Sequence, residues 1–176
     1  MAMKITFEKL KTSNSEVIKL LNKWTNDPLL LPLTRRIKSK EDLDVQITGT
    51  VASLNKRLEH DFVYLIYADD NCVGQMSFQI DPGLLHKKEP GTAWIGLGIG
   101  EASARGKGVG MKAMEYLEKQ IYAQGLHRIE LGVFAFNKPA INLYKKLGYQ
   151  EIGRYEDFTY WKGKMWQNIC MEKYLK

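Results

Sequence analysis

Cysteine is scarce in this 176-residue chain: Cys72 and Cys170 are the only two, and neither belongs to a C-x-x-C pair. They cannot make a disulfide framework, and each lies in an apolar, strand-like run where a thiol acts as a small hydrophobe. A reducing compartment, the cytoplasm, is therefore expected. The three histidines, His60, His86 and His127, lack ligand-like spacing, so no metal site is expected. No apolar run approaches the roughly 20 residues that span a bilayer. The opening Met1-Ala2-Met3-Lys4-Ile5 turns polar within a few residues. Neither a signal peptide nor contact with a membrane is expected. Repeats, low-complexity tracts and interdomain linkers are also missing, and one domain over residues 1–176 is expected.

What is present is an ordinary globular balance of apolar and charged residues with a formal charge of +6. That excess favours anionic partners, either nucleic acid or a phosphorylated small molecule. The one short basic cluster, Arg35-Arg36-Ile37-Lys38, reads as a solvated loop. No nucleic-acid motif accompanies it, so no nucleic-acid partner is expected.

Periodicity gives a mixed order of elements. Ile5 to Leu10 reads as a short strand, and Glu16 to Trp24 carries Val17, Leu20, Leu21 and Trp24 at helical spacing. A second helix is expected after Ser39, with Asp42 as a weak capping partner. It would run on through Leu43, Ile47, Val51, Leu54 and Leu58 despite Gly49. Phe62 to Tyr67 and Cys72 to Ile80, separated by Asp69-Asp70-Asn71, form a hairpin pattern. After a polar loop from Asp81 to Gly91 come a strand from Thr92 to Gly100, a helix from about Gly108 to Gln124 and a strand from Arg128 to Ala135. Gly125 sits where a helix C-terminal glycine belongs. Pro139 opens a further helix that Gly148 ends. Tyr149 to Thr159 and Lys164 to Tyr174 make a last hairpin around Trp161-Lys162-Gly163. This order predicts an α/β (α+β) fold built on a single mixed sheet of about seven strands with helices on both faces.

The strongest local feature is Arg105-Gly106-Lys107-Gly108-Val109-Gly110, between a strand and an amphipathic helix carrying Val109, Met114, Leu117 and Ile121. A glycine-rich strand-to-helix turn exposes backbone N–H groups at the positive end of a helix, which suits phosphate. Arg105 and Lys107 can add charge there. The Walker pattern fails, because Gly106-Lys107 is followed by glycine rather than Ser or Thr and position 101 is Glu. The dinucleotide pattern G-x-G-x-x-G fails from Gly106 at Met111, from Gly96 at Glu101 and from Gly98 at Ser103.

The pattern that does match is Arg/Gln-x-x-Gly-x-Gly/Ala. With it stands Asn137-Lys138-Pro139-Ala140-Ile141-Asn142-Leu143-Tyr144-Lys145-Lys146-Leu147-Gly148-Tyr149, which is similar to an Asn-x-x-Ala-x-x-Leu-Tyr-x-x-x-Gly-Phe/Tyr segment. In both segments and in element order the chain resembles the GNAT superfamily of N-acetyltransferases. It looks closest to the branch that modifies ribosomal-protein N-termini and small amines. The resemblance implies a mostly antiparallel, twisted sheet with a V-shaped splay between its two central strands, and acetyl-CoA as co-substrate. It places the pyrophosphate on the loop from Arg105 and Gly106 through Lys107, Gly108 and Val109 to Gly110, and the pantetheine arm beside Gly98, Ile99 and Gly100. Trp94, Gly96, Gly98 and Gly100 share one strand face, and strand glycines often mark close approach by a ligand or by packed neighbours. Asn137 matches a residue that contacts the cofactor, and Tyr144 matches the acid that protonates the departing thiolate. Tyr144 could also be plain core beside Ile141 and Leu147.

The general base is not legible. Many members of the branch that the chain resembles carry Glu on the strand before the loop, where this chain has Trp94. Glu101, Glu89, His86 and Glu130 are alternatives, each equally readable as a surface residue. The acceptor site is expected between the early helices and the last hairpin, where Trp24, Tyr155, Phe158, Tyr160, Trp161 and Trp166 gather and Glu156-Asp157 would suit a cationic amine. The expected activity is acetyl transfer to a primary amine of a small molecule or protein N-terminus in a ternary complex, by a monomer or homodimer. A non-catalytic CoA-binding module of the same fold is the alternative.

Overall fold

The computed structural model describes residues 1–176. In chain order the elements are β1 (Ile5–Lys9), α1 (Ser15–Thr25), α2 (Leu31–Thr34), α3 (Val51–Leu58), β2 (Asp61–Ala68), β3 (Asn71–Ile80), β4 (Thr92–Ile99), α4 (Val109–Ala123), β5 (Arg128–Phe134), α5 (Lys138–Lys146), β6 (Gln150–Trp161) and β7 (Lys164–Tyr174). Local chemistry sets many of these boundaries. The Asn14 side chain accepts the Val17 amide at 3.0 Å and so starts α1. Asp69 and Asp70 both adopt left-handed φ, 47° and 66°, as a two-residue turn between twisted antiparallel strands requires. Lys162 and Gly163 do the same between β6 and β7.

Strand alternation builds two cores. On β2, Tyr64 and Ile66 face one way, with Met114, Leu117 and Ile121 of α4 and Ile141 of α5. Val63 and Leu65 face the other, with Val17, Leu21 and Trp24 of α1 and Leu54 of α3. The strand order is β1-β2-β3-β4-β5-β7-β6, and only β4 and β5 run parallel. Those two pair for just three residues, Thr92 to Trp94 against Arg128 to Glu130. Beyond that point β4 stays with β3 as far as Ile99, and β5 stays with β7 as far as Phe134. The two central strands therefore open into a V.

The long helix expected after Ser39 does not form. Lys40–Asp44 is a 3-10 turn, and α3 begins only at Val51 behind a Thr50–Ser53 capping box. The Asp42 carboxylate accepts the Lys38 amide, and no side-chain cap forms at Ser39. Between these pieces, a side chain of α1 and one just past its C-terminus take over backbone groups that a helix would have used. Asn22 accepts from Gly49 N at 2.7 Å, and Asn26 accepts from Ile47 N at 2.8 Å.

The basic cluster is only in part a solvated loop: Arg36 and Lys38 are exposed, but Arg35 and Ile37 are built into the fold. Arg35 donates to the carbonyls of Thr25 and Val45. Ile37 is fully buried and exchanges bonds with β6, from its own N to Thr159 Oγ1 and from Tyr160 N to its carbonyl.

Candidate active site

The glycine loop is fastened to the strand before it by its own arginine. Arg105 donates from Nε to the Ile99 carbonyl at 3.1 Å and from Nη2 to the Gly100 carbonyl at 2.9 Å. Gly106 and Gly108 hold φ of 70° and 78°, where a Cβ would be strained. The first backbone bond of α4 runs from Lys112 N to the Gly108 carbonyl, and the amides from Gly106 to Met111 find no carbonyl in the protein. Six free donors thus converge at the positive end of a 15-residue helix.

From this loop a cavity of about 1430 Å³ runs through the V to the last hairpin. Gly98, Ile99, Arg105, Gly106, Gly108, Val109, Gly110, Asn137 and Tyr144 all line it. A Cβ on Gly98 would meet nothing within 4 Å, so the space above this glycine is open. Two residues expected in the site lie elsewhere. Gly100 is buried against the Trp24 indole, which fills the place a side chain would take, and its N–H is donated to the Val73 carbonyl at 2.7 Å. Its missing side chain serves packing. Lys107 lines a separate, shallow pocket with Met1, Met3 and Lys112 and contributes its amide to the loop.

Asn137 caps α5, its Oδ1 accepting the Ala140 amide at 3.4 Å, while its side chain also borders the cavity. Two turns on, Tyr144 is 8% exposed and packs edge-on to Tyr149 with ring centroids 5.8 Å apart. Burial pushes its phenol up to about 12, so it is a neutral O–H donor throughout the physiological range. Tyr144 lines the cavity, and its hydroxyl, which bonds no protein group, is not sealed in the core.

The base candidates are mostly tied up in structure. Glu101 accepts from Lys23 and from the Trp24 indole, each at 2.8 Å, and these bonds hold it below the usual carboxylate range. Glu130 is fully buried and accepts from Arg128 at 2.6 Å and from the amides of His86 and Lys87. Glu89 accepts from the Tyr174 hydroxyl and contacts His127. His86 sits 3.1 Å from the Tyr155 hydroxyl. Trp94, at the position where the resemblance implies a carboxylate, lays its indole across the foot of the V, 3.1 Å from where a Gly132 Cβ would stand. Among carboxylates, Glu156 alone lines the cavity.

Sequence reasoning missed Arg36, Arg57, Gln75 and Ser77, which also line the cavity. Arg57 bonds Asp61 at 2.8 Å and Ser77 at 3.1 Å. Only its spacing of four from Asp61 was visible in the sequence, and that spacing says nothing about a cleft.

Residues 26–149 match the model of the acetyltransferase (GNAT) family. Solved structures with the same fold include a ribosomal-protein-alanine N-acetyltransferase from Brucella melitensis (TM-score 0.74, 17% identity, 97% of this chain and 99% of that one). A putative acetyltransferase from Salmonella typhimurium, solved with acetyl-CoA, gives a TM-score of 0.73 at 18% identity over 100% of this chain and 95% of its own. A spermidine N-acetyltransferase from Vibrio cholerae, solved with CoA and spermine, gives 0.72 at 15% identity over 97% and 95%.

Proposed function

The chain belongs to the acetyltransferase (GNAT) family, and from that membership we propose that it moves the acetyl group of acetyl-CoA to a primary amine by direct attack with both substrates bound. The acceptor is a small molecule or a protein N-terminus, the two kinds that the names of structural relatives span. The observation that carries the reading is the run of six unpartnered amides from Gly106 to Met111, five of whose residues line a cavity that also passes Tyr144.

Acetyl-CoA supplies an acetyl group activated as a thioester. The amides of Gly106 to Gly110 are suited to its pyrophosphate, because they are free donors without Cβ atoms at three of five positions. The open edge of β4 at Gly98 and Ile99 can receive the arm, with Asn137 at the facing helix terminus. In the reaction the amine nitrogen bonds to the carbonyl carbon and the C–S bond breaks. Tyr144 donates its proton to the departing sulfur, and the ammonium proton leaves to solvent through the open mouth of the cavity. With Trp94 at the foot of the V and Glu101, Glu130 and Glu89 engaged elsewhere, the amine reacts as the free base. No helix is long and apolar enough to cross a membrane.

Two measurements test this. Gly108→Val forces a β-branched residue into φ near 78° and turns its amide. At a strain cost of order 1–3 kcal/mol, acetyl-CoA affinity should weaken about tenfold or more by calorimetry. Unchanged affinity would remove the loop from the site. Free-thiol release with acetyl-CoA over an amine panel tests transfer itself. Tight acetyl-CoA binding without thiol release for any amine would point to a binding module.

A further inference from the structure

The acceptor half of the cavity holds two charged side chains of opposite sign that no ion pair of the protein consumes, Arg36 and Glu156. A bulge in β6 brings them together. Tyr155 pairs with Asn168 and Thr159 with Trp166, so Glu156, Asp157 and Phe158 stand opposite Gln167 alone, and Asp157 takes a φ of 43°. Bulges re-aim side chains and are common beside active sites. Here Glu156 and Phe158 both line the cavity, and Gln167 Nε2 donates to Glu156.

Arg36 is fixed over the same bulge. Its Nε donates to the Phe158 carbonyl at 2.9 Å, and its guanidinium lies 4.1 Å from the Phe158 ring centroid. The next residue, Ile37, is pinned to β6 through Thr159 and Tyr160. The Nη groups of this exposed, cavity-lining arginine have no protein acceptor, which leaves its planar fork free for a bidentate anion. Arg57, the other guanidinium there, is neutralised by Asp61. The rim between these charges is apolar: Leu33 and Leu84 line it and are 37% and 53% exposed.

We propose that the acceptor is a zwitterion, a small amino acid with an apolar side chain. Its ammonium faces Glu156, its carboxylate sits on Arg36, and its side chain lies on Leu33 and Leu84. This rests on the acetyl-transfer reading and narrows it. A polyamine, with cations and no anion, would meet a repulsive Arg36. Of Glu156-Asp157, expected from the sequence to suit a cationic amine, Glu156 lines the cavity and Asp157 does not.

The test compares leucine, methionine and phenylalanine with their amides, and with spermidine and a peptide bearing a free N-terminus. Thiol release is followed with acetyl-CoA, and binding to the CoA complex by calorimetry. The amides have less basic amines, so any bias from free-base supply runs against the expected result. The amino acids should exceed their amides in kcat/KM about tenfold. Arg36→Met should lower that carboxylate-to-amide ratio about tenfold, and Arg36→Lys, which keeps the charge and loses the fork, should lower it less. Thermal unfolding of each variant checks that β6 remains docked. Preference for an amide, spermidine or the peptide overturns the proposal while transfer stands, and so does a ratio that Arg36→Met leaves unchanged. Should no acceptor release thiol, the transfer reading fails, and calorimetry still decides the site: amino acids that bind no tighter than their amides overturn it.

Discussion

Replacing Tyr144 with Phe should lower kcat about a hundredfold while acetyl-CoA affinity changes less than about twofold, because a positioned general acid contributes roughly 10²–10⁴-fold. The two effects separate cleanly at this residue. The ring is what the fold uses: it is buried, belongs to the core under α4 and α5, and meets Tyr149 edge-on. Phe keeps that packing. The hydroxyl serves no structural bond, so its loss leaves no orphaned partner and thermal stability should hold. What disappears is a proton. Burial pushes this phenol up to about 12, so it carries its proton at neutral pH. Steady-state thiol release alongside calorimetry checks the split. Equal kcat in Tyr144→Phe would return Tyr144 to the core, and a parallel loss of affinity would recast it as a binding group.

How much of this was legible in the sequence follows from how local each determinant is. The loop from Arg105 to Gly110 could be read because its chemistry is contained in six consecutive residues: glycine φ, amide direction and the helix that follows. The hairpins were equally readable from Asp69-Asp70 and Lys162-Gly163, where two adjacent residues set the turn. Gly100 shows the limit. Its place in a row of strand glycines suggested a ligand, but the group that needs the space is Trp24, 76 positions earlier, and strand parity carries no record of it. The segment 45–50 fails for the same reason. Its apolar spacing favours a helix, and the side chains of Asn22 on α1 and Asn26 at its C-terminus compete for the backbone groups. Arg36 was hidden differently. A basic cluster looks solvated when its neighbours are unknown, and only the docking of Ile37 onto β6, 122 residues away, turns it into the cleft. The family pattern supplied the cofactor half because that half is local; the acceptor half is assembled across the chain.

The closed end of the V should be the most fragile point of the fold. Arg128→Met should destabilise it by about 3–5 kcal/mol at neutral pH, since removing one partner leaves a buried charge uncompensated. Arg128 and Glu130 are both fully buried, and they occupy the only three-residue stretch in which β4 and β5 still pair. Nη2 of Arg128 reaches Glu130 at 2.6 Å, Nε reaches Glu172 of β7 at 2.7 Å, and Nη1 reaches Thr92 of β4 at 3.1 Å. One guanidinium therefore ties together the three strands from which the gap opens. Denaturant midpoints with unchanged m-values would measure the loss, and a loss under about 1 kcal/mol would mean the ladder alone holds the junction. The double replacement Arg128→Met with Glu130→Leu should recover part of it, because neither charge is then stranded. The same network fixes a sign for acid. Burial disfavours charge on Glu172, but the bonds from Arg128 and Lys87 outweigh it and hold its carboxyl below the ordinary value. Its unfolded form then binds protons at a pH where the folded form does not. Stability from this group is complete above the ordinary carboxylate range and is lost as pH falls through the depressed value. Arg128→Met removes the main cause of that depression, so the variant should lose less stability than the wild type over the same acid range. A steeper acid loss in Arg128→Met would show that Glu172 draws its stabilisation from elsewhere.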